Sequence, residues 1–274
     1  MVLLRSKYSG SSFSELLDVE FPYLRFENRL SQLLPPAGLP AGQTPTGLPA
    51  IPHATTVLAL KYGDGVIVAG DRLATEGYRV ASRDVQKVYT TDAHSLIAIA
   101  GAAGPCIEMA KLLRIELEHY EKIEGDPLEL EGKANKLSQM IRANLPAAMQ
   151  GLVVVPIFAG YDPRRRIGRL WKYDVTGGRY EEAEFEATGS GGLYARESLK
   201  KSWRPGASRN EALRMAVTAL MDAADEDRGT GGIDLQRGIY PTVSVCAAGG
   251  IEEIASAEIA QIHRQFLDQR RGAA

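Results

Sequence analysis

The chain has 274 residues, 45% hydrophobic and 24% charged, enough apolar material for one large domain or two small ones. Its net charge of −2 leaves no electrostatic footprint for nucleic acid or an anionic membrane, and no apolar stretch reaches the roughly 20 residues of a membrane helix. Met1–Lys7 holds too few apolar residues for a secretory leader, and Cys106 and Cys246 sit in apolar surroundings as buried thiols would in a reducing compartment, so the expected location is cytoplasmic.

Residues 1–34 mix Phe13, Leu16, Leu17, Phe21, Tyr23, Leu24 and Phe26 with polar residues, enough for short amphipathic turns. From Pro35 to Pro52, nine of eighteen residues are proline or glycine, which supports neither a helix nor a strand ladder. A tail on a globular domain and a removable prosegment both fit this composition. Regular patterning starts at Thr55. Thr55–Lys61 and Val66–Asp71 read as two buried strands around a Tyr-Gly-Asp-Gly turn, and Ser95–Ala100 as a third that stops at Gly101. One helix follows, with Met109, Leu113, Leu117 and Tyr120 on its core face. A second carries Leu130, Ala134, Leu137 and Ile141 until Pro146 ends or kinks it. Leu152–Phe158 returns to strand, and Gly168–Asp174 and Gly178–Phe185 flank a Thr-Gly-Gly turn. Ser208-Arg-Asn-Glu211 is a capping box that opens a helix with Leu213, Val217, Leu220 and Ala224 inward. Strands at Thr242–Cys246 and Ile251–Ile254 and a helix over 257–269 close the chain. Grouped strands and helices predict stacked sheets covered by helices rather than an alternating parallel sheet.

His53, His94, His119 and His263 fall in no metal-ligand spacing, and His119 and His263 read as solvated surface residues on amphipathic helices. There is no Walker loop, no GxGxxG after a strand and no GxSxG elbow, and Gly189-Ser-Gly-Gly192 reads as a plain strand-to-helix turn. Metal, serine and cysteine hydrolysis all lose support, so a hydrolase here needs another nucleophile.

Three features stand in order after the proline-rich tail: His53-Ala54-Thr55-Thr56, Gly70-Asp71-Arg72 and Arg83-Asp84-Val85-Gln86-Lys87-Val88, with sixteen residues from Thr55 to Asp71 and sixteen more to Lys87. With Gly189-Ser190-Gly191 and Asp227-Arg228-Gly229-Thr230-Gly231, this set resembles the proteasome β subunits. The helical region through Ala147–Gly151 and the long leading segment are most similar to the actinobacterial type. The resemblance covers Thr55 to about Leu267. It implies an α+β fold, a four-layer α/β/β/α sandwich of two stacked, mainly antiparallel sheets, of the N-terminal-nucleophile hydrolase kind. It further implies a prosegment over residues 1–54, removed by autocatalytic cleavage between Ala54 and Thr55, ahead of a catalytic domain over residues 55–274.

A threonine hydroxyl needs a base within hydrogen-bond reach, and a freed Thr55 amine, with a pKa of about 7.7–8.0, can supply one. Thr55 has the family's spacing to Asp71, Lys87 and Gly101, whereas Thr56 misses all three by one residue. By the resemblance, Thr55 is nucleophile and base, and Lys87, held by Asp71, favours deprotonated neighbours. The Gly101 N–H serves as oxyanion donor, and Ser190, Asp227 and Thr230 tune the amine. The primary substrate pocket falls to Ala74, Val85, Ile99 and Ala103, with Thr75 and Gly101 on substrate backbone, a small and apolar set that favours hydrophobic side chains.

No cofactor and no metal are expected. The family further implies homo-heptameric β rings, proteasome α subunits in an α7β7β7α7 core, a ring-shaped AAA ATPase, and unfolded polypeptide substrates tagged with a prokaryotic ubiquitin-like protein. Three other readings compete: a non-catalytic ring subunit, a two-component bacterial threonine protease of the same superfamily, and an amidohydrolase of small molecules. The first has no need of Thr55, Asp71 and Lys87 together, and the second usually lacks so long a leading segment.

Overall fold

The computed structural model describes residues 55–76 and 79–272; His53, Ala54 and the expected prosegment lie outside the described residues. Strands β1 (Thr56–Tyr62) and β2 (Gly65–Gly70) form the expected hairpin. Val57, Ala59, Val66 and Val68 face one way and Leu58, Leu60, Ile67 and Ala69 the other, and all eight are buried. Strands apolar on both faces need a layer on each side.

Those layers are present. The first sheet runs β10-β1-β2-β11-β12, with β10 at Phe185–Gly189, β11 at Thr242–Ala247 and β12 at Gly250–Glu253. The second runs β5-β6-β7-β8-β9, comprising Val88–Asp92, Ser95–Gly101, Val154–Asp162, Ile167–Tyr173 and Arg179–Glu182. Every neighbouring pair in both sheets is antiparallel. A small hairpin, β3 (Ala74–Glu76) with β4 (Arg79–Ser82), stands apart from both. The helices are α1 (Ala103–Glu124), α2 (Leu130–Ala143), α3 (Leu145–Ala148), α4 (Gly192–Ser202), α5 (Arg209–Glu226) and α6 (Ser256–Gly272).

Three apolar clusters hold the layers together. Val57, Ala59, Val68, Leu96, Ala98, Ile157 and Leu170 fill the space between the sheets. Leu58, Leu60 and Ile67 meet Leu199, Leu213, Val217 and Ile259 of α4, α5 and α6, while Ile97, Phe158 and Trp171 meet Leu113, Leu117, Leu137 and Ile141 of α1 and α2. The result is the expected helix–sheet–sheet–helix sandwich. The capping box at Ser208 and Glu211 opens α5 as the sequence pattern says.

Several expectations need correction. Gly178–Phe185 is not one strand: β9 pairs with β8 in the second sheet, and β10 pairs with β1 in the first. The chain changes sheets at Ala183-Glu184 because Phe185 turns into the helix-covered core against Trp203. Tyr120 is exposed, since the inward face of α1 runs through Cys106, Met109, Ala110, Leu113 and Leu117 and stops there. Ala223 is buried in α5, whereas Ala224 is only half-buried. His263 is not a surface residue but is buried on the side of α6 that carries Ile259 and Ile262, and burial lowers its proton affinity below the ordinary imidazole value. The short strands β3, β4 and β5 had no clear period and were not expected.

Candidate active site

The register pairs Val57 with Gly70 on one side of β1 and Thr56 with Gly189 on the other, so the head of β1 lies in the middle of the first sheet. The ladder runs one step past β2. The Asp71 N–H donates to the Thr56 carbonyl at 3.0 Å, and the Thr56 N–H donates to Asp71 Oδ1 at 2.8 Å. Asp71 Oδ2 accepts from the N–H groups of Leu73 (3.0 Å) and Gly231 (2.8 Å). From the second sheet, Lys87, just ahead of β5, spans the sandwich and donates Nζ to Asp71 Oδ1 at 2.6 Å and to the Leu73 carbonyl at 2.5 Å. Its side chain is 4% exposed and that of Asp71 0%. Burial pushes the Lys87 ammonium below its ordinary value, and the attraction of Asp71 only partly restores it.

A second network flanks the same strand end. Ser190 donates its N–H to the Thr55 carbonyl at 2.9 Å and its hydroxyl to Asp227 Oδ2 at 2.6 Å, and the Thr230 hydroxyl donates to the same oxygen at 2.6 Å. Burial works to raise the Asp227 carboxyl, but the two hydroxyls and the Gly229 N–H prevail and hold it below the usual carboxylate range. Gly191 has to be glycine, because a Cβ there would stand 2.3 Å from Thr230 Oγ1 and 2.6 Å from Thr56 Oγ1.

Beside this network opens a narrow cleft, lined by Thr55, Ala74, Val85, Gln86, Lys87, Tyr89, Ile99, Gly101, Ala103, Cys106 and Ile107. Gly101 ends β6 at φ +130°, where an L side chain is strained, and a Cβ would lie 2.1 Å from the Val153 carbonyl. Burial pushes the Cys106 thiol up to about 12, too high for a thiolate nucleophile near neutral pH.

The structure thus brings Thr55, Lys87, Gly101, Ala74, Val85, Ile99 and Ala103 to one cleft, with Asp71 behind Lys87 and Ser190, Asp227 and Thr230 on the flank. Thr75, on β3, is half-buried and is not part of the lining. Sequence reasoning missed Gln86, Tyr89, Cys106 and Ile107. Cys106 and Ile107 follow Ala103 at helical spacing of three and four, and Tyr89 lies two residues beyond Lys87, so both periods were available. It also missed Thr56, which is fully buried and joins both networks, Asp71 through its backbone N–H and Thr230 through its hydroxyl. Among the described residues, no His, Cys, Asp or Glu cluster suits a metal, and no helix is long and apolar enough to cross a membrane.

Two antiparallel sheets between helical layers, with a threonine heading a central strand above a lysine–aspartate pair, form the N-terminal-nucleophile hydrolase architecture. Residues 51–235 match the family model described as proteasome subunit. The chain is 51% identical over 269 residues to a proteasome subunit beta of Rhodococcus erythropolis, covering 96% of this chain and 90% of the relative. It is 48% identical over 264 residues to that of Acidothermus cellulolyticus, covering 95% and 87%, and 53% identical over 226 residues to that of Acidimicrobium ferrooxidans, covering 81% and 82%. This chain belongs to the proteasome β-subunit family.

Proposed function

We propose that this chain is the catalytic β subunit of a proteasome core, a threonine endopeptidase whose nucleophile is the Thr55 hydroxyl. The observation that carries the reading is Thr55 lining one cleft with Gly101 and Lys87, while Asp71 holds the buried Lys87 ammonium at 2.6 Å. Thr56 supports the same register, since its hydroxyl is enclosed between Gly191 and Thr230.

In the precursor the Thr55 nitrogen is a peptide amide and cannot serve as base. Activation begins when Thr55 Oγ adds to the carbonyl carbon of Ala54. The C–N bond breaks as the nitrogen takes up a proton, leaving an ester. The Thr55 amine is free once that bond has broken, and water then hydrolyses the ester, giving a carboxylate on residue 54 and restoring the Thr55 hydroxyl. That amine, partly neutral near pH 7, takes the Oγ proton while Oγ attacks a substrate carbonyl carbon. The Gly101 N–H donates to the developing oxyanion. The amine passes its proton to the leaving nitrogen, and water completes the cycle by hydrolysing the acyl ester. Lys87 adds positive charge that favours the deprotonated hydroxyl, and Asp71 fixes its position. Ser190, Asp227 and Thr230 hold the freed amine and tune it.

The small and apolar cleft walls favour hydrophobic side chains before the scissile bond, with Thr75 and Gly101 on substrate backbone. Residues 1–54 are the prosegment that blocks the amine. The subunit assembles as seven-membered β rings with α subunits, and a ring ATPase feeds it unfolded polypeptides marked by a small ubiquitin-like protein. Confinement in such a chamber makes an unselective protease safe in cytoplasm.

Co-expression with an α subunit, followed by intact mass, N-terminal sequencing and fluorogenic peptide hydrolysis, tests the reading. The expected result is a chain starting at Thr55 that cleaves after apolar residues, with the Thr55→Ala chain retaining residues 1–54 and losing hydrolysis. Clean processing of Thr55→Ala in pure assemblies, or undiminished hydrolysis, would sink it.

A further inference from the structure

Thr56 sits outside the cleft, yet it touches both hydrogen-bond networks. Its Oγ accepts from the Gly191 N–H at 2.9 Å and lies 2.6 Å from Thr230 Oγ, whose own proton goes to Asp227 Oδ2 at 2.6 Å. The ends of this chain have no freedom, because a backbone N–H can only donate and an ionised carboxylate can only accept. Asp227 stays ionised well into acid. One proton order satisfies both ends: Gly191 donates to Thr56, Thr56 to Thr230, and Thr230 to Asp227. The main chain of the same residue exchanges two further hydrogen bonds with Asp71. Residue 56 therefore grips Asp71 by its backbone and Asp227 through a relay of two hydroxyls, one peptide bond from Thr55.

Burial in a strand does not explain the choice of threonine. Valine has the same shape and suits a strand at least as well, but its methyl would face the Gly191 N–H and the Thr230 hydroxyl. We propose that Thr56 is a positioning residue for the reaction: the hydroxyl relay from Gly191 to Asp227 fixes the backbone that carries the Thr55 nucleophile and its amine relative to Lys87 and Gly101. This rests on the reading of Thr55 as nucleophile.

The test compares the full-length wild type, Thr56→Val and Thr56→Ser, each co-expressed with the α subunit. Ring mass, N-terminus, kcat and KM on one fluorogenic peptide are the readouts. Thr56→Val is expected to lower kcat roughly tenfold to a hundredfold with KM within about twofold, since displacement of a reacting group by a fraction of an ångström acts on the chemical step. Thr56→Ser, which keeps the relay, is expected to recover kcat to within about threefold. A Thr56→Val ring that keeps Met1 while Thr56→Ser matures supports the proposal, because maturation uses the same hydroxyl. Wild-type kcat in Thr56→Val overturns it, as does Thr56→Ser being as impaired as Thr56→Val. Failure of Thr56→Val to assemble, where Thr56→Ser assembles and works, assigns a folding role instead and also overturns it. If the wild type itself neither starts at Thr55 nor hydrolyses peptide, the functional reading falls with it, and that failure shows in the wild-type arm alone.

Discussion

Lys87 and Arg169 are both cations with almost no exposed side chain, 4% and 3%, and they are held in opposite ways. Arg169 on β8 grips Glu181 with two bonds of 2.7 Å, reaches Asp162 and Glu131 at 3.3 Å, and lies over the Trp171 ring with 4.6 Å to its centroid. The Glu181 hydrogen bonds outweigh burial and raise its proton affinity beyond the ordinary guanidinium value. For Lys87 burial wins over Asp71, and the proton is held less firmly than usual. A planar fork among three carboxylates is a structural clamp; a desolvated ammonium that lines the same cleft as Thr55 is a charge whose loss or gain matters to its neighbours.

The sharpest break of this contrast is Lys87→Met, expected to cut peptide hydrolysis about 10³-fold in rings of normal mass, with Lys87→Arg giving no recovery because the guanidinium is larger and planar. Gly101→Ala comes next: strain at φ +130° and a Cβ 2.1 Å from the Val153 carbonyl should displace the Gly101 N–H, the proposed oxyanion donor, and lower kcat about 10²-fold. Arg169→Met should leave kcat within about twofold while costing about 2–4 kcal/mol in thermal or denaturant unfolding, since the carboxylates left behind are partly hydrated. If Arg169→Met impaired kcat as Lys87→Met does, the contrast would collapse. Away from both cations, Ser208→Ala should cost about 1 kcal/mol by removing the cap of α5.

Acid gives the smallest effect. Backbone and side-chain hydrogen bonds from Ser208, then Arg204, hold the Glu211 carboxyl at about 2 against an ordinary 4.5. Its contribution to the capping box is fully present above pH 4.5 and fades as pH falls through about 2, so its carbon chemical shift should titrate near 2 in the wild type and closer to 4.5 in Ser208→Ala.

Much of the scaffold was legible because burial period and turn chemistry agree locally. Val57–Leu60 and Val66–Ala69, apolar on both faces, announce inner strands, and Leu130, Ala134, Leu137 and Ile141 announce a covered helix. The break between β9 and β10 was not legible, since Arg179–Phe185 has an acceptable strand pattern throughout and only Phe185 meeting Trp203 across the fold ends one sheet and begins the next. Asp71, Lys87 and the Gly101 end of β6 stood out through spacing and family pattern. The burial of His263 and the double role of Thr56 did not, because each depends on partners far along the chain. Thr56 and Thr230 are 174 positions apart, and no local window of sequence contains both.

That same separation bears on when the chain can act. The head of β1 is among the first described residues to be synthesised, yet its sheet neighbour β10 and the partners Ser190, Asp227 and Thr230 come from the second half. At about 5–20 residues per second, many seconds of translation separate Thr55 from the last of them. A nascent chain on the ribosome thus carries Thr55 without the Ser190, Asp227 and Thr230 side chains that flank it in the fold. The long-range topology works as a timer that leaves the surroundings of Thr55 incomplete until Gly231 has emerged and docked against Asp71.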